Sequence, residues 1–224
     1  MENKNQTHKM KGGRKTNTEL YIQLAIIGIL AILIVYNTGK IYESGGVTGA
    51  GIGIVSASEI TPTGVPAIYG KELGVNFDEV SPNNPGGADA NIGILKNLDK
   101  TLTLQGSDLQ RYIDITSQIS CEYCCGAKSV IRSDGSAACG CAHSYAIRGL
   151  AKYLIKEHGS EYTDDEILSE LGKWRVLFFP GVHEQKATAL KSQGIEINYI
   201  NLASNAYRGI EKGQTSGGGM VGGC

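Results

Sequence analysis

The chain has 224 residues, of which 41% are hydrophobic, with 31 glycines, six cysteines and a formal net charge of −1 at pH 7. That balance gives no electrostatic case for nucleic acid or acidic lipid as a partner. The limited apolar content, partly spent in one N-terminal run, predicts a small core that needs a metal or disulfide staple.

Residues 1–18 form a basic tail carrying Lys4, Lys9, Lys11, Arg14 and Lys15. From Leu20 to Tyr36 the chain reads LYIQLAIIGILAILIVY, uncharged and with Gln23 as its strongly polar member. Seventeen residues at about 1.5 Å each span roughly 26 Å, the short end of a bilayer core. Tyr21 and Tyr36 stand where interfacial aromatics belong. Residues 19–37 are therefore predicted to be a single transmembrane anchor in contact with the lipid bilayer through 20–36. The basic flank puts the N-terminus in the cytoplasm and the main domain outside. A cleavable signal peptide is the rival reading, but Asn37-Thr38-Gly39-Lys40-Ile41 offers no good small-x-small site. Glu19 followed by AIIGILA also resembles the N-terminal helix of type IV pilins, which would imply a pilin-like surface assembly; Arg14 stands where a pilin processing site has glycine.

Residues 38–105 read as a Gly/Ser/Thr/Pro-rich tether running into a segment of no definite structure, with turn signals over Ser81-Pro82-Asn83-Asn84-Pro85-Gly86-Gly87. A Cys-rich helical head follows over 106–195. Ser107 caps a helix with Leu109, Tyr112, Ile113 and Ile119 at helical spacing. Asp134-Gly135 after Val130-Ile131 predicts a small β-hairpin. A second helix starts near Cys141, with Ile147, Leu150, Ala151, Leu154 and Ile155 on one face, and ends at Gly159. Thr163-Asp164-Asp165-Glu166 is a capping box for a third, and His183–Ser192 a fourth. Residues 196–224 hold a short strand, IEINYINLA continuing from Ile195, and a flexible glycine-rich tail. The fold class is thus mainly α: a small helical bundle with a Cys-rich β-hairpin, preceded by a single transmembrane helix and flexible tether.

Five of the six cysteines lie within 21 residues, in the frame C-x2-C-x14-C-x-C-x-H: Cys121, Cys124, Cys125, Cys139, Cys141 and then His143. Two close pairs on either side of a hairpin suit a tetrahedral thiolate site. Cys121, Cys124, Cys139 and Cys141 are the candidate metal ligands, with Cys125 or His143 as a substitute or fifth. Zn²⁺ or Cu⁺ are the cofactors this donor set favours, and a metal donor or acceptor protein would be the partner. The second pair sits at a helix N-terminus, where the macrodipole favours thiolate, so thiol–disulfide exchange by Cys121 and Cys124 is an alternative. Structural disulfides are another, with 15 connectivities for six cysteines. Met220 and Cys224 form either a spare soft-ligand pair or a solvated terminus. His8, His158 and His183 have structural readings, as do the capping Asp164, Asp165 and Glu166 and the apolar Trp174, Phe178 and Phe179. No catalytic residues are assigned, since serine-hydrolase, phosphate-loop and zinc-protease patterns are missing.

From Cys121 to Pro180 the layout resembles two extracytoplasmic families. Cys121-x-x-Cys124, Thr163-Asp164-Asp165-Glu166-Ile167 and Phe178-Phe179-Pro180 are similar to elements of the thiol-reducing cytochrome c maturation proteins. That resemblance implies a helical bundle with an exposed thiol pair, though here Cys139 and Cys141 are inserted before the helix. Cys139-Gly140-Cys141 with His143, and Tyr123 beside Cys124, resemble the secreted family named for its Pro-Cys-Tyr-Cys-Gly-Cys motif. The whole chain looks most like uncharacterised membrane-anchored archaeal proteins with this cysteine frame, and the resemblance implies no activity.

Overall fold

The computed structural model describes residues 21–30 and 53–212. The chain divides into two units, Met1–Gly51 and Ile52–Cys224. In the first, residues 21–30 form a helix, α1. Among the described residues no helix is long and apolar enough to cross a membrane. The anchor expected over 19–37 is helical where it is described, and the rest of it lies outside the described residues, as does the tail beyond residue 212.

The second unit is mainly helical. Its elements are α2 (Ala57–Ile60), α3 (Gly70–Leu73), a 3-10 turn (Phe77–Glu79), α4 (Pro85–Thr101), α5 (Gly106–Thr116), α6 (Ala142–His158), α7 (Asp164–Phe178), α8 (Pro180–Ser192), α9 (Tyr199–Ala203) and a second 3-10 turn (Asn205–Tyr207). α6 is the central helix. Ala146, Ile147, Leu150, Ala151, Leu154 and Ile155 are all buried, beneath α4, α5 and α7. Its Gly149 admits the backbone of α4, because a Cβ there would come 2.0 Å from the Leu95 carbonyl oxygen. Asp99 of α4 ties the two helices further, accepting from Arg148 Nε at 3.0 Å and pairing with Lys152 Nζ at 2.7 Å.

The segment read as a tether is, from Val55 onward, packed into the head: Val55 and Ile60 join a second apolar cluster with Val176, Ala187, Leu190 and Leu202, and Tyr69 joins the core around α6. Val55, Ile60 and Tyr69 are buried, and the Val55 amide donates to Thr188 Oγ1 of α8. Tyr69 accepts a hydrogen bond from the buried Trp174 Nε1 at 2.8 Å and donates to Glu170 Oε2 at 2.9 Å. Glycine and hydroxyl content hid a few widely spaced apolar side chains that docking alone makes structural. The stretch 85–101 becomes the 17-residue α4. Pro85 occupies its first turn, and the Asn84 side chain accepts from the Gly87 amide at 3.1 Å, both standard helix-start devices. Ala88, Asn91, Ile92 and Leu95 then fall on its buried stripe.

Two expectations of β structure are corrected. The hairpin near Asp134-Gly135 is a turn with one bridge, Ile131 to Ala137, and no strand is present among the described residues. Arg132 and Ser136 are joined by one amide-to-carbonyl bond of 2.8 Å, and Gly135 has φ +81°. Val130 and Ile131 are buried in the core, whereas Ala137 and Ala138 have too little side chain to hold a second strand against them. The segment IEINYINLA is extended only to Asn198, which then caps α9 by accepting from the Asn201 amide at 2.8 Å. With no neighbouring strand to pair with, its backbone groups are satisfied within a helical turn.

His158 closes α6. Its Nδ1 lies 2.8 Å from Glu161 and its Nε2 3.2 Å from Glu72. Burial works against its charged form, but the two carboxylates outweigh that and raise its pKa above the ordinary histidine value. A histidine with a raised folded-state pKa contributes stability that is complete below about pH 6.5 and lost as pH rises through the folded-state value. Thermal melts across that window should show stability falling with rising pH. The slope should flatten in His158→Gln; an unchanged slope would remove His158 as its source.

Candidate metal centre

α5 ends at Thr116, and the chain returns to a helix only at Ala142. Every cysteine of the frame lies in this interval. The Cys121–Ala127 loop is closed by a bridge between its ends and by Arg208, which donates to the carbonyls of Gly126 and Ala127. Glu122 anchors it from beneath, with a buried ion pair to Lys186 of α8 at 3.1 Å and a bond from the Gly209 amide at 2.7 Å. The other half is held by Arg148, whose Nη1 donates to the Cys139 carbonyl at 2.9 Å. These ties position sulfurs from two separate loops.

Cys125 and Cys139 form a disulfide. Cys121, Cys124 and Cys141 lie outside it. The Sγ atoms of Cys121, Cys139 and Cys141 are all within 4.8 Å of one another, as are those of Cys124, Cys125 and Cys139. Cys121 Sγ is 3.4 Å from Cys125 Sγ and 3.0 Å from Ser144 Oγ. The five sulfurs are therefore one contiguous cluster. Cys121 and Cys139 lie at its buried end, Cys141 is half-buried, and Cys124 and Cys125 are exposed.

Cys141 is the N-cap of α6, its Sγ accepting from the Ser144 amide at 3.4 Å. Hydrogen bonding from the Cys121 thiol, then from His143 and Ser144, holds the Cys141 thiol well below its usual pKa. The same shared bond, with burial, pushes Cys121 up. The shared bond thus favours the thiolate on Cys141 over that on Cys121, as does the N-terminal helix dipole. His143, fully buried with its ring 4.8 Å from that of Phe178, is placed by this bond beside the Cys141 sulfur.

A positive charge faces the same place. Arg175 of α7 is fully buried, with its guanidinium 4.6 Å from the Phe179 ring and 5.7 Å from the Tyr123 ring. Burial lowers its pKa, and the negative forms of Cys121, Tyr123, Cys141 and Glu122 oppose that. Its Nε and Nη1 find no hydrogen-bond partner among the described residues. A guanidinium so enclosed favours the thiolate states of the two sulfurs it interacts with, Cys121 and Cys141.

All six residues singled out in the sequence, Cys121, Cys124, Cys125, Cys139, Cys141 and His143, come together here. The suggested redox pair Cys121 and Cys124 is not the bonded one. Arg175, Glu122, Lys186 and Ser144 were not foreseen. Only Ser144 had a local signal, standing three residues after a helix cap. His183 keeps a structural role, its Nδ1 2.9 Å from the Phe179 carbonyl and its pKa driven far down by burial. A separate cleft of about 630 Å³, bordered by Ser117, Lys128, Ser129, Arg132 and Asn205, has no cysteine in its lining. In comparisons with family models, curated proteins and solved structures, nothing matches the chain.

Proposed function

We propose that the head binds one soft metal ion, Zn²⁺ or Cu⁺, and serves in metal binding or transfer at the outer surface of a membrane. The observation that carries this reading is the approach of the Cys121, Cys139 and Cys141 sulfurs to within 4.8 Å of one another in a buried setting. Three thiolates at that spacing are a donor set for Cu⁺, and a fourth ligand completes a Zn²⁺ site. Cys125, 3.4 Å from Cys121, or His143 beside Cys141, are the fourth-ligand candidates. The apolar run Leu20–Tyr36 and the basic residues before it support attachment to a bilayer with the head outside. A protein donor or acceptor of the ion is the partner this role requires.

The test is to reduce the full chain with a phosphine under anaerobic conditions, add Zn²⁺ or Cu⁺, pass it through a desalting column and measure metal per chain. Retention of about one ion, with the thiols shielded from alkylation while loaded, is the expected result. Retention of neither ion by the reduced protein would overturn it.

A second reading, thiol–disulfide exchange, is favoured by one specific contact. Cys121 Sγ stands 3.4 Å from a sulfur of an existing disulfide, which is the geometry of an attacking thiol and its target. Turnover of a model disulfide by the metal-free protein would support it.

A further inference from the structure

Cys139 belongs to two sulfur groups at once. It is one of the three sulfurs of the proposed metal site, and it is bonded to Cys125. A metal ligand must be a thiolate, and a disulfide sulfur carries no such charge. With the bond closed, the site has two thiol donors instead of three.

The two sulfurs of the bond also differ in access. Cys125 is exposed and Cys139 is 6% exposed. A nucleophile from solvent therefore meets Cys125, and Cys139 is the leaving group. Its sulfur is released within 4.8 Å of the Cys121 and Cys141 sulfurs. Internal exchange does not achieve the same result. If Cys121 attacks Cys125 across 3.4 Å, Cys139 is released but Cys121 is consumed, and the site again has two donors. Opening it requires two electrons from outside.

Resting on the metal-binding reading above, we infer that Cys125 is a redox lock on this site: bonded to Cys139 it excludes the ion, and an external dithiol reductant creates the complete site. One thiolate of the reductant attacks Cys125 Sγ, the Cys125–Cys139 bond breaks, and Cys139 leaves as thiolate. The second thiolate of the reductant then attacks its own sulfur in the mixed disulfide and expels Cys125 as thiolate. The reductant ends as a disulfide, its two electrons reside on Cys125 and Cys139, and its two protons go to solvent or to those sulfurs. The reverse reaction, driven by a disulfide oxidant, would eject the bound ion.

The full chain is prepared in the oxidised state and after reduction with the reductant removed, then titrated anaerobically with Cd²⁺, followed by its thiolate-to-metal charge-transfer absorption. Cd²⁺ stands in here for Zn²⁺. Affinity at least ~100-fold higher in the reduced chain is expected, because the oxidised chain has lost a thiolate donor. Cys125→Ser, purified anaerobically so that Cys139 stays a thiol, has no lock but keeps Cys121, Cys139, Cys141 and His143; whatever its affinity relative to reduced wild type, it should bind Cd²⁺ equally with and without prior reduction. Equal binding by oxidised and reduced wild type would overturn the lock while leaving the metal site standing. A Cys125→Ser chain that still needs reduction would overturn the assignment of the lock to Cys125. Absence of binding in every state would overturn the metal site itself, and the lock with it.

Discussion

Replacing Cys141 with serine should abolish retention of Zn²⁺ or Cu⁺ by the reduced chain. Structural thiolate sites bind Zn²⁺ with about 10–16 kcal/mol. Spread over four ligands, one sulfur accounts for roughly 3–4 kcal/mol, so the loss should be 100-fold or more. Cys141 should be the most sensitive position for an additional reason. Its thiolate is the favoured one of the Cys121–Cys141 pair, through bonds from the Cys121 thiol, His143 and the Ser144 amide at the start of α6. A serine hydroxyl there can still cap the helix, so the fold should persist and circular dichroism of the variant should match wild type. Cys124→Ser provides the contrast. Its sulfur is within 4.8 Å of Cys139 but is grouped with the exposed Cys125 rather than with Cys121 and Cys141, so metal retention should fall less than in Cys141→Ser. If both variants retain the ion as wild type does, the buried sulfurs are not its ligands.

Glu122→Ala should be the most destabilising single change in the loop, by about 3–5 kcal/mol. The carboxylate is paired with Lys186 at 3.1 Å, with side-chain exposures of 3% and 0%, and it also accepts from the Gly209 amide at 2.7 Å. Removing it leaves an ammonium group buried without its counter-charge, since the remaining contact of Lys186 Nζ is the Ser204 carbonyl at 3.4 Å. Burial already lowers the Lys186 pKa, and Glu122 is the main group opposing that shift, with Glu211 behind it. The variant should therefore recover part of its stability above neutral pH, where Lys186 can shed its proton. Double substitution with Lys186→Met should recover more than Glu122→Ala alone, because an apolar side chain of similar length has no charge to strand. Chemical denaturation of wild type and the two variants checks both points. A loss below about 1 kcal/mol in Glu122→Ala would show that the ion pair is not what holds the loop.

The helices of the head were legible because their signals are local. Thr163 and Glu166 form both bonds of the capping box, and α7 begins at Asp164 as that box requires. Cys141 caps α6, and Gly194, with φ +70°, follows the end of α8. The clustering of the six residues was legible for a similar reason, since close cysteine pairs bring sulfurs together whatever lies between them. The segment 55–105 was not legible in the same way. Its apolar residues are sparse, and Tyr69 acquires a structural role only because Trp174, 105 positions away, lies at its hydroxyl.

The sequence by itself determined the helical periodicity, the starts of α6 and α7 and the clustering of five cysteines, because these depend on residues within one or two turns of each other; the Ser107 cap it suggested is replaced by Gln105, with Ser107 inside α5. Tertiary structure decided which sulfurs are buried and which is bonded to which, and it supplied Arg175 and Glu122 from outside the cysteine frame. Pairing among several adjacent thiols is settled by sub-ångström differences in loop position. Those positions are set by α6, α7 and α8 packing beneath the loops, and no local spacing encodes them.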